Sequence, residues 1–327
     1  MMEIKQILAG GNDAALFAEA DNIRRAIYGT DVYIRGLIEI SNYCKQNCYY
    51  CGIRAENSQA VRYRLSEDEI LQCADLGYSL GFRTVVLQGG EDPFFTETAV
   101  CKLIEKLKTK HPDCAVTLSL GEQPYDTYKA WFSAGADRYL LRHETATEAH
   151  YRVLHPRSSS FSNRRACLFA LKEIGYQVGS GFMVGSPEQT LEHLAEDFAF
   201  LADLNPDMIG IGPFLPHCDT PFRASPAGDL TLTLRAVALA RILFPHALIP
   251  ATTALATLHP QGRETGLKCG ANVVMPNLSP QSARERYTLY NNKRHSGTES
   301  AEELEALKKQ ISALGYQIVV DRGDVKK

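Results

Sequence analysis

Three cysteines, Cys44, Cys48 and Cys51, fall close together in SNYCKQNCYYCGIR, directly after the mostly apolar run Leu37–Ile40. Thiolates are metal ligands, and their number selects the metal. A structural zinc takes four protein ligands, yet no fourth cysteine or histidine lies nearby, and the next cysteines are Cys73 and Cys101. Three thiolates suit a four-iron cluster with one iron left open to a small molecule. Three unrelated cysteines are the alternative, and their close spacing speaks against it.

Further groups fit a ligand near such a centre. In Gln88-Gly89-Gly90-Glu91-Asp92-Pro93, paired glycines let the backbone approach a ligand and a carboxylate can face a cation, although a tight turn is the simpler reading of the glycines alone. Thr117 and Ser119, two apart on a strand, point to the same side. From Asp137, the run DRYLLRHET crowds Arg138, Tyr139, Arg142, His143 and Glu144 together. Charges on an inward face need a partner or a ligand, and ion pairs among themselves remain open. Tyr287 and Tyr290 are three apart, which on a helix gives one face; ordinary core tyrosines fit equally.

The elements that must position these groups follow a βα rhythm. Short apolar runs near Arg35–Ile40, Thr84–Gln88, Ala115–Ser119, Arg138–Arg142, Gln177–Val184, Met208–Gly212, Leu248–Thr252 and Asn272–Met275 read as strands. Eight of them, separated by helical patterns, predict a parallel α/β fold, a (β/α)8 TIM-type barrel. Helices are expected over Asn12–Tyr28, Ser66–Leu80, Glu97–Lys110, Tyr125–Ala134, Phe161–Ile174, Gln189–Leu204, Thr231–Leu243 and Ser300–Leu314. Ser66-x-x-Glu69 is a capping box, and Gly81 stops the helix that it opens. A last strand, Tyr316–Val320, and a charged tail follow. We expect one domain over residues 1–327, with a barrel core of about 33–290, an N-terminal helical extension over 1–32 and a C-terminal extension over 291–327. Most of the polar motifs fall at C-terminal strand ends, where barrels carry function.

Bulk properties exclude several classes. A net charge of −3 and the absence of basic blocks longer than a pair such as Arg24-Arg25 argue against a nucleic-acid partner. No apolar run spans a membrane, and the N-terminus lacks the apolar core of a signal peptide. The nine cysteines form no disulfide framework, so a reducing, cytoplasmic setting is expected.

The cysteine loop resembles that of the radical S-adenosylmethionine (SAM) enzymes, in which the open iron of one 4Fe-4S cluster chelates SAM and reduction releases a 5'-deoxyadenosyl radical. The resemblance implies that Cys44, Cys48 and Cys51 are the metal ligands and that Tyr50 lies near the adenine. Gln88, Gly89, Gly90 and Glu91 match the GGE motif that binds the SAM amino group, and Ser119 joins the cofactor side. Within that superfamily DRYLLRHETA, LSLGE, LQGGEDP, MIGIGPFLPH and IPATTA resemble the HydE family of FeFe-hydrogenase maturases, from about Tyr33 to Tyr290.

That resemblance assigns Glu144 and Arg164 to the SAM ribose and carboxylate. It places Arg142, Thr252, Thr253, Tyr287, Met208 and Met275 around the substrate, with Thr117 and Arg138 also expected on the substrate side. Arg142 with two hydroxyls is sound carboxylate chemistry, while packing is the more cautious reading of the methionines. The implied substrate is a cysteine-bound iron dicarbonyl cyanide complex from HydG, attacked at sulfur, with later assembly on HydF. A flavodoxin or ferredoxin would supply the electron.

Some members carry a second cluster after the YxxY segment, but residues 291–298 hold no cysteine and none follows, so no second cluster is expected. The competing readings are a methylornithine synthase-like mutase acting on an amino acid, sulfur insertion of the biotin synthase kind, and a non-catalytic iron-sulfur carrier.

Overall fold

The computed structural model describes residues 1–326. The strands among these residues are β1 (Asp31–Ile34), β2 (Gly36–Ser41), β3 (Thr84–Gly89), β4 (Ala115–Ser119), β5 (Arg138–Leu140), β6 (Gln177–Val184), β7 (Met208–Pro213), β8 (Val273–Val274) and β9 (Gln317–Val319). Ladders join β2 through β7 in sequence order, and every strand pair is parallel. Parallel bridges Met208–Leu248, Pro250–Val273 and Leu37–Asn277 carry the order on from β7 through residues 248–250 and the β8 segment back to β2.

The eighth expected strand, Leu248–Thr252, is thus reduced to single bridges. Pro250 has no N–H to donate, so a continuous ladder cannot run through it. Pro276 limits β8 in the same way. The first barrel strand changes neighbours at Arg35: β1 pairs with β8 and with the C-terminal β9, whereas β2 pairs with β3.

Most helices lie where the sequence places them. Glu67–Ser79 begins with the expected capping box, in which the Glu69 backbone N–H donates to Ser66 Oγ at 3.3 Å and the Glu69 carboxylate accepts from the Ser66 N–H at 2.7 Å. Side-chain caps at Asn12, Thr96, Ser160, Thr190 and Asp229 set five other helix starts. Five helices were not foreseen: Met2–Ala9, Glu148–Leu154, Thr253–Leu258, Gly262–Lys268 and Gln281–Arg284. Their runs are short or interrupted, so a 3.6-residue period barely develops. The C-terminal helix is shorter than expected, Leu304–Ala313, because Gly297–Glu299 and Ala301–Glu303 wind as 3-10 turns. Tyr287 and Tyr290 lie beyond the short helix Gln281–Arg284 and not on a helical face.

The charged tail closes the floor of the barrel. Arg138 donates to Asp324 Oδ1 at 2.5 Å, to the Arg322 carbonyl at 2.8 Å and to Thr84 Oγ1 at 2.9 Å. Arg322 in turn donates to Asp137 at 2.9 Å. Beside Arg138, the buried Arg35 donates to Met208 Sδ at 2.8 Å. A floor sealed by ion pairs leaves the opposite, C-terminal end of the strands as the way in.

Candidate active site

The loop after β2 is built to present sulfur. Arg62 braces it from within, donating to the carbonyls of Ile53 (2.9 Å), Arg54 (2.6 Å) and Asn57 (3.2 Å) and to that of Asn42. The N–H groups of Gln46 and Glu91 both donate to Cys44 Sγ at 3.4 Å. All three cysteines are free thiols facing one cavity of about 370 Å³ at the barrel mouth. Burial pushes the Cys48 thiol up to about 12 and raises those of Cys44 and Cys51 as well. Three thiols crowded into one half-buried pocket cannot all ionise unless a positive centre sits among them, which is the condition a bound metal cluster meets. The donor set therefore fits such a cluster.

Gly90 explains the position of the GGE motif. A Cβ there would collide with the Tyr43 carbonyl and stand 2.7 Å from Cys44 Cβ, so only glycine lets β3 close against the cysteine loop. Glu91 then accepts from Gln46 Nε2 at 2.7 Å and from the Glu122 N–H at 2.9 Å. Gly121, at φ +76°, leaves room for the Glu91 side chain, which a Cβ would strike.

One wall carries the charged end of β5. Arg142 and Glu144 stand 3.2 Å apart, yet Arg142 Nε and Nη2 and Glu144 Oε2 are buried without a hydrogen-bond partner. An ion pair with unused hydrogen-bonding capacity at a cavity wall is a place for a polar ligand. Glu144 also adopts φ +63°, a left-handed conformation uncommon outside glycine, held by its N–H bond to the Gly181 carbonyl at 3.1 Å. Arg164 is buried behind them, donating to Glu122 Oε1 at 2.5 Å and to the Arg142 carbonyl at 2.8 Å. Burial opposes its charge, but Glu122 and the neighbouring phenols and thiols outweigh that and raise its pKa well above the ordinary value. Tyr50 faces the cavity with its hydroxyl 3.3 Å from His155 Nε2.

The structure gathers most of the expected residues here. Tyr50, Gln88, Gly89, Gly90, Glu91, Ser119, Arg142, Glu144, Arg164, Met208, Thr252, Thr253, Met275 and Tyr287 all line this cavity with the three cysteines. Two do not. Arg138 is committed to the floor network, and Thr117 lies beside it and Arg35, one layer below the cavity. The error was one of depth: residues earlier along a strand share the inward face but sit nearer the closed end.

The threonine pair also divides. Thr252 Oγ1 caps the helix Thr253–Leu258, accepting from the Leu255 N–H at 3.4 Å, while Thr253 Oγ1 donates to Glu299 at 2.8 Å. Glu299 is itself paired with Arg263.

Sequence reasoning missed Arg62, Glu122, Glu299 and the pair Glu39–Lys293. An acid inside the apolar run LIEIS was a legible sign of Glu39. Nothing local marks Lys293, which comes from the segment beyond the last barrel strand.

Comparison with known proteins agrees with this geometry. The model of the radical SAM superfamily matches residues 38–201, the half-barrel from β2 to the helix after β6, and the chain is a radical SAM enzyme. The "[FeFe] hydrogenase maturase subunit HydE" of Thermotoga maritima is 51% identical over 280 residues, covering 86% of this chain and 80% of that protein. The chain belongs to the family of that maturase. The "3-methylornithine synthase" of Methanosarcina acetivorans is more distant, at 28% identity over 277 residues, 84% of this chain and 77% of the relative.

Among solved structures, methylornithine synthase superposes with a TM-score of 0.83 at 24% identity, over 97% of this chain and 93% of its own. A HydG structure follows at 0.82 and 19%, over 96% and 71%. At those identities the likeness establishes the barrel fold. Membership of the superfamily brings a 4Fe-4S cluster and SAM with it. Among the described residues no helix is long and apolar enough to cross a membrane.

Proposed function

We propose that the chain is a HydE-type maturase of FeFe-hydrogenase, acting on the sulfur of a cysteine-bound iron dicarbonyl cyanide precursor of the diiron subcluster. The observation that carries this reading is the meeting of three half-buried free thiols and the Arg142–Glu144 ion pair, with Arg142 Nε unpartnered, in one cavity, in a chain 51% identical to a HydE. The cluster and SAM, when bound, supply a 5'-deoxyadenosyl radical on one-electron reduction.

The protein's own residues supply the rest. Cys44, Cys48 and Cys51 hold the cluster, and a second iron-sulfur centre has no ligands in this reading. Gly89, Gly90 and Glu91, with Gln88, Ser119 and Tyr50, receive SAM against the cysteine loop, and Glu144 and Arg164 orient it. Arg142 provides a fixed, planar donor for a substrate carboxylate, with Thr252 as a second polar group. Thr253 acts at one remove, through its bond to Glu299. Tyr287 accepts from Gln88 Nε2 at 3.4 Å, which ties the substrate side to the GGE strand. Met208 and Met275 give the base of the cavity a soft, apolar lining. The sealed floor keeps water out from below, which protects any radical step.

In the same reading residues 1–327 form one domain, the protein works in the cytoplasm, a flavodoxin or ferredoxin delivers the electron, and HydG and HydF stand before and after it. The test is product analysis. Reduced, reconstituted protein with SAM should release 5'-deoxyadenosine and methionine, and the iron-bound cysteine complex should accelerate it. Formation of 3-methylornithine from lysine would instead establish the mutase reading, and an intact cluster that never cleaves SAM would leave an iron-sulfur carrier.

A further inference from the structure

The wall of the cavity opposite in sequence to Arg142 is closed by a segment that the proposed roles leave unused. Residues 291–299 run across the barrel mouth, with the Asn291 N–H donating to the Pro216 carbonyl at 3.0 Å and the Arg294 N–H to Thr257 Oγ1 at 3.4 Å. Between these two anchors Lys293 turns inward and its ammonium donates to Glu39 Oε1 at 2.5 Å. Both residues line the cavity, but unequally: the Glu39 side chain is 0% exposed and that of Lys293 8%.

Glu39 is therefore covered, its second oxygen without a partner, and Lys293 is the member of the pair with surface left over. The ammonium also sits 5.0 Å from the centre of the Tyr287 ring. An ammonium has three N–H donors, and among the described residues one of them is engaged, by Glu39. The face turned to the cavity is thus cationic and held in place by a buried carboxylate.

We propose that Lys293 is a substrate-binding residue that receives an anionic or strongly accepting group, with Glu39 as the positioning residue that aims it. This rests on the reading of Arg142 as the partner of a substrate carboxylate. With Arg164 on the cofactor side, Arg142 and Lys293 are the cations left to the substrate, and together they select a molecule with acceptor groups at both ends and disfavour a diamino acid, whose second ammonium would face Lys293. The pair accordingly sets substrate class within the barrel: an amino acid carrying a second anionic group, or an amino acid bound to an anionic metal fragment.

The experiment uses the anaerobic, cluster-loaded full chain with SAM and two probes of similar length, S-carboxymethyl-L-cysteine and L-lysine, titrated by calorimetry. Wild-type protein should bind the first at least about tenfold more tightly, the size of one charge-assisted hydrogen bond. Lys293→Met leaves Glu39 without its partner and can destabilise the fold, so the double variant Glu39→Gln with Lys293→Met is measured beside it. In the double variant the preference should vanish, and Lys293→Arg should restore most of it. Equal binding of the two probes by wild-type protein, no measurable binding of either, or a preference that survives in the double variant would each overturn the proposal. Release of 5'-deoxyadenosine by the wild-type protein is followed separately, so a failed radical SAM reading is told apart from a failed assignment of Lys293.

Discussion

Replacing Arg138 with methionine separates the floor of the barrel from its cavity. The guanidinium is 3% exposed and makes four hydrogen bonds, to Gln177 Oε1, Thr84 Oγ1, the Arg322 carbonyl and Asp324 Oδ1. Removing one partner of a fully buried ion pair costs about 3–5 kcal/mol, because the other charge is stranded. Asp324 is 40% exposed and regains water once released, which argues for the low end, about 3 kcal/mol. With about 2.1 cal/mol/K of unfolding entropy per residue, a 327-residue chain then melts about 4 °C lower. Anaerobic thermal and urea unfolding measures this directly. The same samples are assayed for 5'-deoxyadenosine, whose rate per loaded cluster should match that of the parent protein at 25 °C. An unchanged melting temperature together with impaired SAM cleavage would show that Arg138 reaches the cavity after all, and the depth assignment would fall.

Other expectations follow from the same geometry. Gly90→Ala places a methyl against the Tyr43 carbonyl and Cys44, so the cysteine loop must shift; iron content after reconstitution should fall severalfold, and normal loading would refute the close-packing reading. Thr252→Ala should raise the KM for the true substrate while uncoupled SAM cleavage remains measurable; loss of both together would merge the cofactor and substrate halves of the cavity. Burial lowers His150 to about 4 and His155 to about 3, from an ordinary value of 6.5. Both are depressed, so the unfolded chain binds more protons as the pH falls below 6.5, and stability is lost from there down towards the folded values. At pH 5 each histidine removes about 2 kcal/mol relative to pH 8, about 4 kcal/mol together. Urea midpoints should show that decline, and a flat profile over pH 5–7 would contradict the burial of neutral imidazoles.

The sequence disclosed the chemistry more readily than the depth at which each group sits. Cys44, Cys48, Cys51 and the GGE motif are local patterns, and local patterns survive without coordinates. Alternation along a strand tells which side a residue faces but not which layer it occupies, so Thr117 and Arg138 were placed with Ser119 and Arg142 although they lie below them. The missing ladder at Pro250 was legible in principle, since proline cannot donate to a sheet. The partnerships Glu39–Lys293 and Arg138–Asp324 join residues 254 and 186 positions apart, and no periodicity reports a contact of that span. The tail read only as charged, with no role, because nothing before the fold exists shows the buried arginine waiting for it.

The most direct trial of the central claim is electron paramagnetic resonance on anaerobically reconstituted, reduced protein, with metal analysis of the same sample. About four irons per chain should be bound, with a signal from one reduced four-iron cluster that changes shape when SAM is added, because the cluster has an open iron. Zinc in place of iron, or a spectrum indifferent to SAM, would contradict a three-thiolate cluster with a vacant corner.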